Sequence, residues 1–443
     1  MAQASATDTV ANIYRTPELW QKITFTFFCL VLYRIGSHIT APGIDVLAVT
    51  AYFQSQGSGG VLGLYDLFSG GGLSRATVLA LGIMPYISAS IFVQIAGAVV
   101  PQVEKLQKDE EGRKKITQWT TYATVILALV QGWGFGIFTE SLPGAVTQPG
   151  FWFKVQMALF LTTGAMFTMW LGEQITERGL GNGASLIIFF SIVERFWPGI
   201  IQTFTFLGTG AIGPLQILVL GLVMLAVVAG VVTITMAARR ILIQIPQRTV
   251  SRGRMRQEAR NFIPLRLNSA GVMPIIFAQS VIVVPSAIAQ FSGNESMKVF
   301  SEYFAPGTLV YFVLTGVLIL FFTYFYTSII FNPIDLSENL KKQGGFVPGI
   351  KPGAKTAEYI DQVVSRITLP GALFLTTIAL MPQIIAPLIN VPFSFGGTSL
   401  LIVVGVALDT MAQMQQHLLL RQYDGFMKKG KVRYRGRQAT GGF

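Results

Sequence analysis

The sequence is poor in the residues that carry covalent chemistry. Its 443 residues include one cysteine, Cys29, and two histidines, His38 and His417. A lone cysteine excludes an internal disulfide and a cysteine-based metal site, and two distant histidines make no ligand cluster. No GxxxxGK[ST] phosphate loop, GxSxG nucleophile turn or HExxH zinc motif occurs. No enzyme, metal or cofactor is expected, and any nucleotide-driven step must come from a partner. Charge is also scarce: 12% of residues carry it, against about 25% in soluble domains.

What is present is apolar length. Hydrophobic residues make up 51% of the chain, and its 46 glycines exceed the usual share of about 7%. Small residues let membrane helices approach closely. A helix needs about 20 apolar residues to cross a bilayer. Ten segments qualify: 20–39, 77–99, 116–138, 153–171, 184–207, 215–238, 268–291, 307–331, 367–388 and 398–420. The fifth is interrupted by Glu194, Arg195 and Pro198. The polar start through Thr16 has no short apolar core, so the first span is expected to act as its own insertion signal.

Positive charge sets the orientation. Of 33 lysines and arginines, 28 fall at the two ends, counting Lys22 at the edge of the first span, and in the loops after helices two, four, six and eight. Both termini are therefore expected in the cytoplasm. The expected organisation is a cytoplasmic segment 1–19, a five-helix half 20–207, a second half 208–420 and a basic tail 421–443. Loops 239–266 and 332–366 are long for helix connections, which suggests function or disorder. The first holds eight arginines, no lysine and one acid, Glu258.

The chain repeats itself. Ala158-Leu159-Phe160-Leu161-Thr162-Thr163 recurs as Ala372-Leu373-Phe374-Leu375-Thr376-Thr377, and Gly183-Ala184-Ser185-Leu186-Ile187-Ile188 matches Gly397-Thr398-Ser399-Leu400-Leu401-Ile402 at the same offset of 214. Gly82-Ile83-Met84-Pro85-Tyr86-Ile87 matches Gly271-Val272-Met273-Pro274-Ile275-Ile276 at offset 189. Five helices per repeat, an odd number, impose opposite orientations on the halves. Inverted repeats place a functional path where the halves meet.

Before the second span lies Val61-Leu62-Gly63-Leu64-Tyr65-Asp66-Leu67-Phe68, followed by Ser69-Gly70-Gly71-Gly72-Leu73-Ser74-Arg75. Eight helical residues reach only about 12 Å, and three glycines break the join to the next helix. An external surface helix competes with a re-entrant one buried in protein. Arg34, Arg195 and Asp409 are ionisable residues in or near spans, for which snorkelling or structural pairing is expected.

The string from Phe68 to Arg75, continuing into Leu81-Gly82-Ile83-Met84-Pro85-Tyr86-Ile87-Ser88, resembles the SecY family. So do Trp170-Leu171-Gly172-Glu173-Gln174-Ile175-Thr176-Glu177-Arg178-Gly179, Phe346-Val347-Pro348-Gly349-Ile350 and Phe395-Gly396-Gly397-Thr398-Ser399. The resemblance implies an all-α membrane channel for unfolded polypeptides, with ten helices in two inverted halves around a central pore. It implies a plug at 61–75, including Leu64 to Arg75, and a pore ring of Ile83, Ile87, Ile188, Ile192, Ile276 and Ile402. The repeat pairs Ile87 with Ile276 and Ile188 with Ile402. Met273 competes with or joins Ile276, because a kink is expected at Pro274.

Ser88, Gln131 and Asn268 become candidates for a lateral gate, with ordinary interhelical bonding as the competing reading. Arg239, Arg240, Arg252, Arg254, Arg256 and Lys351 become candidates for docking the ribosome, through RNA and proteins, or the motor ATPase SecA. Arginine forks suit both kinds of surface, although the loop also works as a plain orientation signal. Lys351 stands where the family pattern has arginine, which loses the fork. SecE and SecG are implied as accessory subunits, nascent polypeptides as cargo, and the plasma membrane as the site. A secondary transporter with inverted repeats is the main rival; an intramembrane enzyme and a scaffold without a pore are weaker ones.

Overall fold

The computed structural model describes residues 17–56, 60–210, 213–244, 261–292, 294–389 and 397–429. Its helices are α1 (Pro17–Gly36), α2 (Val46–Gln56), α3 (Val61–Phe68), α4 (Met84–Val99), α5 (Pro101–Lys108), α6 (Glu110–Glu140), α7 (Phe151–Arg178), α8 (Gly183–Gly208) and α9 (Pro214–Met236). After a hairpin of β1 (Ala238–Ile243) and β2 (Asn261–Arg266) come α10 (Met273–Phe291), α11 (Glu295–Tyr303), α12 (Leu309–Ile330), α13 (Pro333–Lys342), α14 (Ala354–Ile389) and α15 (Gly397–Lys429).

Among the described residues, eight helices are long and apolar enough to cross a membrane. They are α6 to α10, α12, α14 and α15. A ninth crossing is broken: α4 and α5 meet at 109°, where Val100 is extended ahead of Pro101. α1 has 20 residues, about 30 Å at 1.5 Å per residue, but Lys22 and Arg34 reduce its apolar character. With α1, these elements fall at the ten expected spans, eight meeting that length and hydropathy singly and a ninth only as the bent pair. Glu194, Arg195 and Pro198 do not interrupt α8, which is one helix.

The second and seventh spans begin later than expected. Residues 77–83 and 268–272 are not helical. Gly82 and Gly271 have φ of +54° and +63°, a region other residues enter at a cost. Each helix then starts with proline in its first turn, where the missing N–H costs nothing. Pro274 therefore opens a helix and does not kink one. The sequence repeat is thus also a conformational repeat.

Packing repeats as well. α4–α6, α6–α7, α7–α8 and α1–α7 in the first half have counterparts in α10–α12, α12–α14, α14–α15 and α9–α14. The halves touch through α4–α10 and α8–α15, and each of these pairs consists of repeat counterparts. Elements lying beside a two-fold axis must meet their own images, so these contacts mark the axis. α10 also packs on α6, and α3 packs on α8 and α10.

The first long loop departs from an all-helical reading. β1 and β2 pair antiparallel from Ala238↔Arg266 to Ile243↔Asn261, and Gln244 bridges to Phe346 in the second loop. Ile241, Ile243 and Leu265 face Leu340, Val347, Ile360, Val363 and Val364 in an apolar cluster separate from the main core. Both loops and the start of α14 therefore form one small unit.

Candidate functional site

A cavity of about 400 Å³ opens between α4, α7, α8 and α10. Its polar wall, with Gln94, Glu173, Glu177 and Asn182, comes from helix ends beside residues 100–116 and 179–182. Apolar residues on the same helices complete the lining. Ile87, Ile188 and Ile276 meet there from three helices, joined by Met273 and Phe277. Met273 and Ile276 both line the cavity.

All six predicted ring isoleucines are buried, at 4% exposure or less, in one apolar core. Ile83, Ile192 and Ile402 do not line the cavity. Ile83 fills the space left by Gly172, where an added Cβ would sit 3.3 Å from its Cδ1.

Residues 61–68 form a helix of eight residues, and all but Gly63 are buried. Ser69 to Arg75 then turn tightly. Gly70 and Gly71 have φ of +65° and +79°, and a Cβ on Gly70 would lie 3.3 Å from the Ser191 backbone on α8. Glycine answers both demands. Within the turn, the Ser74 N–H donates to Asp66 Oδ1 at 2.8 Å, and Leu73 N–H to Ser69 Oγ at 3.2 Å. Arg75 donates to the carbonyls of Gly71 and Gly70 at 2.9 and 2.8 Å.

Charged groups hold this segment to α8 and α1. Asp66, 3% exposed, pairs with Arg195. Glu194 pairs with Arg34, and with Arg75 at 3.3 Å. A buried carboxylate requires such a partner. Arg75 Nη1 lies 3.1 Å from His38 Nε2. Arginine only donates, so Nε2 accepts and the His38 proton sits on Nδ1, 2.9 Å from the Arg34 carbonyl. The Tyr33 hydroxyl lies 2.9 Å from Ser191 Oγ and 3.3 Å from the Ser69 carbonyl. Sequence reasoning missed Tyr33, Ser191 and Glu194 as partners. The only signal was a charge pair inside an apolar run.

Ser88, Gln131 and Asn268 are each buried, at 5% exposure or less, but do not hydrogen-bond to one another. Gln131 Oε1 lies 3.1 Å from the Tyr65 hydroxyl in α3. Asn268 donates to the Gly271 carbonyl at 2.9 Å. Ser88 Oγ, Gln131 Nε2 and Asn268 Oδ1 have no partner. On the hairpin, Arg239 and Arg240 are exposed, as is Lys351 beside Ile350 in the same unit. Arg252, Arg254 and Arg256 lie outside the described residues. Among the described residues, no three His, Cys, Asp or Glu side chains are grouped to hold a metal.

The sequence profile of the SecY family matches residues 77–411. The protein translocase subunit SecY of Aquifex aeolicus is 43% identical over 425 residues, covering 94% of this chain and 98% of that one. The Escherichia coli K12 subunit of the same name is 44% identical over 428 residues, covering 95% and 96%. Among solved structures, a protein-conducting channel superposes with a TM-score of 0.68 at 16% identity, covering 94% of this chain and 95% of that one. Sec61 in the canine ribosome–channel complex from the endoplasmic reticulum gives 0.63 at 15%, with the same coverage.

Proposed function

The chain belongs to the SecY family of translocase subunits, a channel component and not an enzyme, and we propose how its residues divide that work. Ile83, Ile87, Ile188, Ile192, Ile276 and Ile402 form the constriction through which an unfolded polypeptide passes. Isoleucine side chains offer no fixed charge and no hydrogen-bond pattern, so they close against ions at rest and yield to any sequence in transit. Residues 61–75 act as the plug on the far side. α4 and α6 part from α10 and α12 to release apolar segments into lipid, with Ser88, Gln131 and Asn268 on that seam.

The observation that carries this reading is the convergence of Ile87, Ile188 and Ile276 on one cavity at the contact between the halves. A transporter would need polar ligands at these symmetry-related positions, and isoleucine supplies none. The chain is a multi-pass membrane channel; the charge asymmetry supports cytoplasmic termini, and the likeness to bacterial SecY subunits supports the plasma membrane. The likeness to ribosome-bound Sec61 supports the ribosome as a partner of the two long loops through Arg239, Arg240, Arg252, Arg254, Arg256 and Lys351. SecA is a second occupant of that surface, with SecE and SecG as accessory subunits.

The test replaces Cys29 with serine and places a cysteine at Ile87 or Ile276. Both are expected to crosslink to a stalled secretory chain, whereas a cysteine at Leu218, 65% exposed on α9, does not. Equal labelling at all three positions would overturn the constriction.

A further inference from the structure

Tyr65 is fully buried in the eight-residue helix α3, yet its hydroxyl faces two acceptors. Gln131 Oε1 on α6 lies 3.1 Å away, and the Leu81 carbonyl 3.2 Å away. A phenol carries one proton and cannot satisfy both. Gln131 Nε2, meanwhile, is buried without an acceptor. A half-turn of the Gln131 amide ends the competition for the proton, and Oε1 becomes its unpaired atom. Its Nε2 then donates to the phenol oxygen, and the phenol donates to Leu81. The result is one chain from α6 through α3 to the backbone just before Gly82, where α4 is about to begin.

The neighbouring residue points elsewhere. Asp66 is ion-paired with Arg195 on α8. Consecutive residues of α3 therefore fasten it to two different walls, one that lines the seam and one that does not. The ionic fastening is indifferent to the state of the seam. The Tyr65 chain exists only while α4 and α6 stand in their closed positions.

We propose that Tyr65 is the positioning residue that makes release of the short helix follow opening of the seam, by a hydrogen-bond chain to Gln131 and Leu81. The inference rests on the reading of α3 as the plug. When an apolar segment separates α4 and α6 from α10, Gln131 withdraws and α3 loses one of its two polar side-chain fastenings. With the seam closed, the chain holds α3 beneath the constriction.

The experiment measures ion leak through the full chain in vesicles of phosphatidylethanolamine and phosphatidylglycerol. Each variant is measured before and after addition of a synthetic leucine-rich peptide with amino-terminal lysines. Tyr65→Phe keeps the ring and deletes the hydroxyl. It is expected to raise the resting leak roughly two- to tenfold, the range of one net hydrogen bond, and to shrink the further rise caused by peptide. Gln131→Leu should do the same, and the double variant should leak no more than either single one. A Tyr65→Phe leak equal to the parent's, or effects that multiply in the double variant, would overturn the coupling. Asp66→Asn and deletion of residues 61–68 separate the two levels. If these raise the leak and Tyr65→Phe does not, only the coupling fails. If neither raises it, the plug reading fails and the role of Tyr65 falls with it.

Discussion

The Asp66 side chain is 4% exposed, whereas its partner Arg195 keeps 35% of its side chain accessible. Removing one partner therefore does not cost the same as removing the other. Arg195→Gln strands a carboxylate away from water, at about 3–5 kcal/mol. Asp66→Asn keeps an acceptor for the Ser74 N–H and leaves an arginine able to turn outward. Its cost should stay near that of a charged hydrogen bond, about 1.5–3 kcal/mol. Thermal unfolding in detergent should show the larger loss for Arg195→Gln; equal losses would mean that burial does not set the asymmetry. The sequence marked Glu194 and Arg195 as charges out of place in an apolar run. It could not name their partners, because Asp66, Arg75 and Arg34 lie more than a hundred residues away, and only tertiary packing brings them close.

At the level of elements, the short helix was legible because Val61 to Phe68 is apolar except for Asp66 and is followed, after Ser69, by three glycines. The starts of α4 and α10 were not. Residues 77–83 contain Val78, Leu79, Leu81 and Ile83, and apolar content does not distinguish a helix from buried turns. Gly82 and Gly271 decide the matter through their positive φ. Alanine at either position takes on a left-handed conformation costing roughly 1 kcal/mol or more. Its Cβ also presses on Ser69 Cα at 3.3 Å in one case and Asp409 Oδ2 at 3.1 Å in the other. Gly82→Ala and Gly271→Ala are both expected to lower the thermal midpoint. Gly221→Ala, in helix α9 with nothing within 4 Å, should leave it unchanged or raise it, since alanine favours helix. A similar drop for all three would detach the effect from backbone conformation. The hairpin escaped prediction for another reason: alternation in a strand as arginine-rich as β1 is too short to stand out.

For the whole molecule, two inverted halves were legible from three matched strings, and the contacts α4–α10 and α8–α15 agree with them. The proposed ring positions were singled out only through motif and repeat together, since one buried isoleucine looks like any other. Three of the six share a cavity wall. The exposed arginines of the hairpin belong to this scale because the partner proposed for them is another assembly. If Arg239 and Arg240 bind phosphates, each replacement by alanine should flatten the dependence of log affinity for ribosomes on log salt by about 0.7–0.9. An unaltered slope in binding assays across a salt series would remove these residues from RNA contact.

The separate apolar cluster behind the hairpin has a mechanical consequence. Ile360, Val363 and Val364 in that cluster belong to α14, which runs on for 36 residues, about 54 Å at helical rise. A body that grips the hairpin therefore holds one end of a single continuous helix whose other end is carried across the bilayer. Pro370 and Pro382, inside that helix, are the points at which a pull from a docked assembly bends it.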